Sequence, residues 1–124
     1  MKILPILVGV MFSTTSYASC ISFARTSCTI EESGGDEVHF LNLVSHSCSL
    51  AEYNLSDKVS QRLNYLYPKF VKKCGGVLQI HQTKVIAFSS NFNEAKNLND
   101  EYLSRCKNTQ FQTNICLTDT IEVR

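Results

Sequence analysis

The segment TSCTIEESGGDEVHFLNLV, residues 26–44, carries the strongest structural signal in the sequence. Its two arms, residues 26–31 and 38–44, are rich in the apolar and β-branched side chains that favour strands. The centre, residues 32–37, reads ESGGDE and contains residue types that accept turn geometry and positive φ angles. We therefore predict a β-hairpin whose second arm has one apolar face and one mixed face.

A helix is predicted downstream of the hairpin, because four apolar side chains recur at spacings of four, three and four residues. These side chains are Val59, Leu63, Leu66 and Phe70. Ser56 or Asp57 can cap the start of this helix, and Gly75-Gly76 offers the left-handed conformation that ends one. Pro68 removes a hydrogen bond inside the pattern, so we expect a kink or a break near Tyr67.

The rest of the chain alternates between strand and helix patterns. Residues 77–80 and 85–88 are β-rich, and the residues between them include no glycine or asparagine, so no tight hairpin is expected there. Residues 91–107 fit a second helix, and residues 110–117 alternate like a half-buried strand. The order strand, strand, helix, strand, helix, strand predicts one small α+β domain, with two helices packed on a mostly antiparallel sheet.

The N-terminus has the pattern of a secretory signal. Lys2 precedes a ten-residue apolar run, and small residues stand at Ser16 and Ala18. We predict cleavage after Ala18, which removes residues 1–18 as a leader and leaves a single domain over residues 19–124. Because no apolar tract is long enough to span a membrane, we expect a periplasmic or secreted protein without a transmembrane segment.

Six cysteines lie in the predicted mature domain, and they are Cys20, Cys28, Cys48, Cys74, Cys106 and Cys116. An even number of cysteines in an exported domain of this size predicts a disulfide framework. No two of them form a C-x-x-C pair, which argues against a metal site and against thioredoxin-type redox chemistry. One alternative stays open at Cys20, which follows two small residues as a lipidated cysteine does, although lipidation would leave an odd number of thiols.

Charge is balanced overall but unevenly distributed. The sequence has 12 basic and 11 acidic side chains, and removal of Lys2 with the leader makes the mature domain neutral. This neutrality argues against a nucleic-acid partner. Residues 19–57 contain one basic and six acidic side chains, whereas residues 58–107 contain nine basic and three acidic ones. A chain of this kind presents opposite poles although its net charge vanishes.

Two charged surfaces follow from this distribution. An acidic turn at the hairpin tip has no countercharge of its own and would fit a cationic cleft on another protein. The residues of the acidic turn are Glu31, Glu32, Asp36 and Glu37. A basic stripe at helical spacing would suit an anionic lipid surface, a wall polymer or an acidic partner. The residues of the basic stripe are Lys58, Arg62, Tyr65, Lys69 and Lys72. Solvated turns and solvated helix faces explain both patterns without a ligand.

The sequence contains no H-E-x-x-H helix, no G-x-S-x-G elbow and no glycine-rich phosphate loop. His39, His46 and His81 are its three histidines, and nothing in their spacing brings them to a common site. We therefore expect a binding protein without a cofactor rather than an enzyme. Its most concrete form is an exported inhibitor, such as an immunity protein to a cell-wall-degrading toxin. The alternatives are a secreted effector or toxin component, and a small hydrolase that uses one of these histidines.

Overall fold

The computed structural model describes residues 19–108 and 113–124, so the predicted leader and residues 110–112 of the last predicted strand lie outside the described residues. Within the described ranges, strands and helices follow one another in the predicted order, with the first predicted helix divided in two. The elements are β1 (Ser19–Thr29), β2 (Glu37–Ser47), α1 (Glu52–Leu66), α2 (Pro68–Lys73), β3 (Thr83–Ser90), α3 (Phe92–Lys107) and β4 (Ile115–Glu122).

The predicted hairpin is confirmed and forms the centre of the sheet. β1 and β2 pair antiparallel over all eleven residues of each strand, so both arms are longer than predicted, although β1 ends at Thr29, two residues before the predicted end of its arm. A hydrogen bond of 2.7 Å from the Ile30 N–H to the Asp36 carbonyl oxygen closes the turn. Within the turn Gly34 has a φ of 76°, a left-handed conformation that glycine adopts without the steric cost of a Cβ atom.

The sheet has the strand order β3-β1-β2-β4. β1 pairs antiparallel with both β2 and β3, whereas β2 pairs parallel with β4. The prediction of a mostly antiparallel sheet in an α+β domain is therefore confirmed. The parallel pair arises because three helices and β3 lie between β2 and β4, which gives the chain the long crossover that parallel pairing needs.

Helices cover both faces of the sheet. The core under α1 and α2 contains Val38, Phe40, Val44, Leu55, Val59, Leu63 and Val71. The core under α3 contains Phe23, Leu41, Leu43, Ala95 and Cys106. β2 is therefore buried on both sides, including its mixed face, where Asn42 donates from its amide nitrogen to the Asp119 carbonyl oxygen at 3.2 Å.

The start of α1 differs from the prediction. The helix begins at Glu52, and neither Ser56 nor Asp57 caps it, because both lie inside the helix. The Asp57 carboxylate instead accepts a hydrogen bond from the Gln61 amide one turn further along. The earlier start places Leu55 in the core, where it is fully buried, and this burial outweighs the capping preference of the polar residues.

The predicted break at Pro68 is confirmed. α1 ends at Leu66, and α2 begins at Pro68, which occupies the first helical turn, where a missing N–H costs nothing. The predicted stop after Cys74 is also confirmed, because α2 ends one residue earlier and Gly75 has a φ of 90°.

Residues 77–80 do not form the predicted strand. The side chain of Asn64 on α1 binds both backbone groups of Leu78, accepting from its N–H at 2.9 Å and donating to its carbonyl at 3.4 Å. These bonds occupy the groups that a strand would have paired, and Ile80–Gln82 forms a short 3-10 turn. β3 then covers the second β-rich stretch, residues 85–88, without a hairpin between the two.

The second helix is confirmed almost to the residue. α3 begins at Phe92, and the Asn91 side chain caps it by accepting from the Glu94 N–H at 2.7 Å. The last strand, β4, begins at Ile115 and continues to Glu122, further than predicted.

The disulfide prediction is confirmed for all six cysteines, which pair as Cys20–Cys48, Cys28–Cys74 and Cys106–Cys116. The first bridge joins the open end of the hairpin, the second joins β1 to the end of α2, and the third joins α3 to β4. Since the Cys20 sulfur is bonded to Cys48, it is not free for the thioether of a lipoprotein.

Candidate functional site

The acidic turn is held in place by backbone and side-chain contacts. It contains a 3-10 turn over Glu31–Ser33, on which the side chains of Glu31 and Glu32 are exposed. Asp36 is used differently, because its Oδ1 atom accepts from the Thr113 N–H at 3.0 Å and so ties the turn to the chain that leads into β4. Of the acidic residues, Glu31 and Glu32 are therefore the ones that the turn presents outward.

The Cys28–Cys74 disulfide brings the acidic turn next to α2. The Cα atoms of the two cysteines are 5.5 Å apart, one at the end of β1 and the other just after α2. The next residue, Gly75, lies so close to Glu31 that a Cβ atom on it would be 3.8 Å from the Glu31 Oε2 atom. The carboxylate end of the turn and the last turn of α2 are thus neighbours fixed by a covalent bond.

A cavity of about 670 Å³ separates the acidic turn from α2. Its lining residues are Ile30, Glu31, Glu32, Asp36, Lys69, Lys72, Lys73, Gly75, Thr113 and Ile115. We call it the dipolar cleft, because acidic residues of the hairpin turn line one side and lysines of α2 line the other. Its size is in the range of clefts that hold a small ligand or a few side chains of a partner.

The opposite charges in the dipolar cleft do not neutralise each other by contact. Within the described residues, no ion pair of 4.0 Å or less joins Glu31 or Glu32 to a lysine. Lys73 lies over the Phe70 ring, with its Nζ atom 5.7 Å from the ring centre, whereas Lys69 and Lys72 form no ion pair with any residue that the structure describes. The lysines opposite the acidic turn come from a distant part of the sequence. Since they form no ion pair with Glu31 or Glu32, the charged side chains on both sides are available to a ligand.

Glu37 does not belong to the dipolar cleft. Its carboxylate oxygen lies 2.9 Å from the Nε2 atom of His39 on the same strand. His39 in turn lines a small cavity of about 160 Å³ under α3, together with Arg25 and Arg105. Side chains alternate between the faces of a strand, and Glu37 with His39 points to the face that α3 covers. The structure thus brings three of the four predicted acidic residues together and separates the fourth.

The basic stripe is divided at Pro68. Lys58, Arg62 and Tyr65 on α1 line a cavity of about 410 Å³ with Glu122 and Arg124, whereas Lys69 and Lys72 on α2 line the dipolar cleft. Arg62 lies over the Tyr65 ring at 5.3 Å from its centre. The continuous helix that the spacing implied is interrupted, so the stripe forms two separate surfaces.

His46 belongs to a buried hydrogen-bond network rather than to an open site. Its Nδ1 atom donates to the Ser47 carbonyl oxygen at 2.9 Å, and its Nε2 atom is hydrogen-bonded to the Ser22 hydroxyl at 2.7 Å. The Ser22 oxygen also accepts from the Ser89 N–H at 2.8 Å, which joins three strands. Although serine and histidine pair as a nucleophile and its base would, Ser22 is fully buried, so a substrate has no access.

The other histidines lie apart from this network. His39 pairs with Glu37, and His81 is exposed on the 3-10 turn before β3. Within residues 19–108 and 113–124, no group of three or more His, Cys, Asp or Glu side chains is arranged to hold a metal ion. None of the helices in these ranges is long and apolar enough to cross a membrane.

Sequence reasoning missed several residues of the dipolar cleft. Lys73 follows Lys72 directly and is out of phase with the stripe, so its helical position gave no reason to include it. Thr113 and Ile115 line the cleft because β4 pairs beside β2, and Ile30 lines it because it directly precedes Glu31 in the hairpin turn. Knowledge of the Cys28–Cys74 pairing would have identified the lysine wall, because it joins residues 46 positions apart. In comparisons with known proteins, no family model, no curated protein and no solved structure matches this chain.

Proposed function

We propose that this chain is a small exported protein that binds another extracytoplasmic protein and inhibits it. In its most concrete form the target is a cell-wall-degrading toxin or enzyme in the periplasm, and the chain is its immunity protein or inhibitor. The observation that carries the proposal is the dipolar cleft, in which Glu31, Glu32, Lys69 and Lys72 are exposed and form no ion pair with one another, on two segments that the Cys28–Cys74 bridge joins.

The energetics of the cleft favour binding over a purely structural role. Exposed charges that form no contact contribute little to folding stability, since even paired surface ions contribute only about 0–1 kcal/mol. The same charges speed association with a complementary surface and fix its orientation. A disulfide that holds both walls in place lowers the ordering cost of binding, because less conformational freedom is lost when the partner docks.

The compartment is supported by the cysteines. Three disulfides in one small domain suit an oxidising environment and are rare in the cytosol. Together with the predicted leader over residues 1–18, they support a periplasmic or secreted location. The hydrolase alternative has less support, because Ser22 and His46, which pair as a nucleophile and its base would, are closed to solvent.

The test is a binding and inhibition assay with a panel of purified cell-wall hydrolases. We expect the chain, purified from the periplasm, to bind one of them and to block its activity. Glu31→Gln combined with Glu32→Gln should raise the Kd about tenfold or more, which corresponds to about 1.4 kcal/mol. A matched control, Glu52→Gln with Glu94→Gln, removes two exposed carboxylates outside the cleft and should leave the Kd unchanged.

Three outcomes would contradict the proposal. Failure to bind any hydrolase in the panel would exclude the wall-hydrolase form. Equal Kd values for the double variant and its control would exclude the acidic turn as the contact. Toxicity of the exported chain to the cells that express it, instead of protection, would favour the effector alternative.

A further inference from the structure

We infer that the dipolar cleft recognises a protein segment that carries a cationic and an anionic side chain close together. The cationic side chain meets Glu31 and Glu32, and the anionic one meets Lys69 and Lys72. This inference rests on the proposed function and adds to it the chemistry of the partner. It adds the lysines of α2 to the acidic turn as a contact for the partner.

The two walls set this preference because each repels one sign of charge. A segment with only basic side chains would meet the carboxylates favourably but would approach the lysines, and a segment with only acidic side chains would have the opposite difficulty. Like charges brought together in this way oppose binding. A segment with both signs satisfies both walls at once, and it leaves no wall uncompensated when water is displaced.

The contacts in the cleft identify which side chains are available to the partner. The Asp36 carboxylate already accepts from the Thr113 N–H, and Lys73 already lies over the Phe70 ring. Glu31, Glu32, Lys69 and Lys72 have exposed side chains and form no ion pair within residues 19–108 and 113–124. Two isoleucines, Ile30 and Ile115, add apolar surface to the lining, which suits the aliphatic stems of long charged side chains.

The test uses three capped seven-residue peptides and the ¹⁵N-labelled chain purified from the periplasm. One peptide carries an arginine and an aspartate separated by two glycines, the second carries two arginines, and the third carries two aspartates. We expect the mixed peptide to shift the backbone amide signals of residues 30–36 and 69–75 and to bind at least about tenfold more tightly than either other peptide. Equal affinity for the two-arginine peptide, or signal shifts elsewhere on the chain, would overturn the inference.

Charge removal on one wall gives a second, independent readout. Lys69→Gln with Lys72→Gln leaves an acidic cleft, so the preference should change from the mixed peptide to the two-arginine peptide. The matched control, Lys84→Gln with Lys107→Gln, removes two exposed lysines that do not line the cleft, and it should keep the preference of the wild type. An unchanged preference in the Lys69/Lys72 variant would contradict the inference.

A negative result in the peptide assay can be distinguished from a negative result in the hydrolase assay. If the mixed peptide binds in the cleft but no hydrolase is inhibited, the proposed inhibitor function is wrong and the charge preference stands. If a hydrolase is inhibited but the peptides show no preference for mixed charge, the function stands and the present inference is wrong.

Discussion

Tyr67 links the helical layer to the edge of the sheet. It lies between α1 and α2, where Pro68 interrupts the helix, and its ring packs against Phe40 with centroids 5.6 Å apart. Its hydroxyl donates to the Asp119 carboxylate on β4 at 2.7 Å. Burial, this hydrogen bond and the negative charge of Asp119 raise the pKa of Tyr67 from 10.0 to about 12. The folded chain therefore favours the protonated tyrosine, which is the form that can donate.

Stability should consequently fall at alkaline pH in a way that depends on Tyr67. The pKa is higher in the folded state than in the unfolded state, so the stabilisation is complete below pH 10 and is lost as the pH rises to about 12. Tyr67→Phe removes the hydrogen bond and should lower the free energy of unfolding at pH 7 by about 1 kcal/mol. It should also make the decline above pH 10 shallower, as measured by urea unfolding at a series of pH values.

Tyr65→Phe is the matched control for this prediction. The Tyr65 side chain is 75% exposed and its hydroxyl forms no hydrogen bond within the described residues, so the variant should behave like the wild type at every pH. The interpretation of the Tyr67 contact fails if both variants show the same alkaline decline.

Elements whose pattern is local were predictable from the sequence. The β1–β2 hairpin follows from β-branched arms around a glycine pair, and α3 follows from the helical pattern of residues 91–107. Long-range contacts determine the start of α1 and the absence of the predicted strand at residues 77–80. Leu55 extends α1 beyond its polar capping candidates by being buried, and Asn64 holds the backbone of Leu78 away from the sheet. Neither contact is visible in the spacing of residues along one element.

The disulfide between β1 and α2 should matter for stability and for binding at once. In the chain-entropy model a bridge of this span contributes about 4 kcal/mol, and one that closes a loop of about ten residues contributes about 3 kcal/mol. Cys28→Ala with Cys74→Ala should therefore lower the free energy of unfolding more than Cys106→Ala with Cys116→Ala does. Urea unfolding of the two double variants measures the difference.

The two double cysteine variants should differ more in their affinity for the mixed-charge peptide than in stability. Loss of the Cys28–Cys74 bridge frees the walls of the dipolar cleft, so the affinity for the mixed-charge peptide should fall. The bridge between α3 and β4 lies outside the cleft lining, so its loss should leave that affinity unchanged under conditions where both proteins are folded. Equal affinities in the two variants would show that the bridge does not organise the cleft.

At the scale of the whole molecule, the two charged surfaces were predictable from the sequence, but their position opposite each other in one cleft was not. The acidic turn and the basic stripe are both evident in the sequence, yet six cysteines allow many pairings and the sequence does not select one. The Cys28–Cys74 bridge and the β2–β4 pairing place three carboxylates opposite three lysines, and Pro68 removes the α1 part of the stripe from that site. A site built by long-range contacts of this kind becomes visible only once the fold is known.

The predicted route of the protein out of the cytoplasm can be tested on the purified chain. We expect the periplasmic protein to begin at Ser19 and to have an intact mass lower than that of its reduced form by six hydrogen atoms, one pair for each bridge. Intact and N-terminal mass spectrometry measures both properties. Retention of Met1 or the presence of free thiols would contradict the predicted leader or the oxidised state.

The extended conformation of β1 also restricts which cysteines can pair once this strand has formed. Cys28 is the nearest cysteine to Cys20 along the chain, so an unstructured polypeptide would join these two most readily. Both lie on β1, where eight residues of extended strand hold them about 26 Å apart at about 3.3 Å per residue. A disulfide needs Cα atoms within about 7 Å. The formed strand therefore excludes a Cys20–Cys28 disulfide, and its pairing with β2 brings Cys20 close to Cys48.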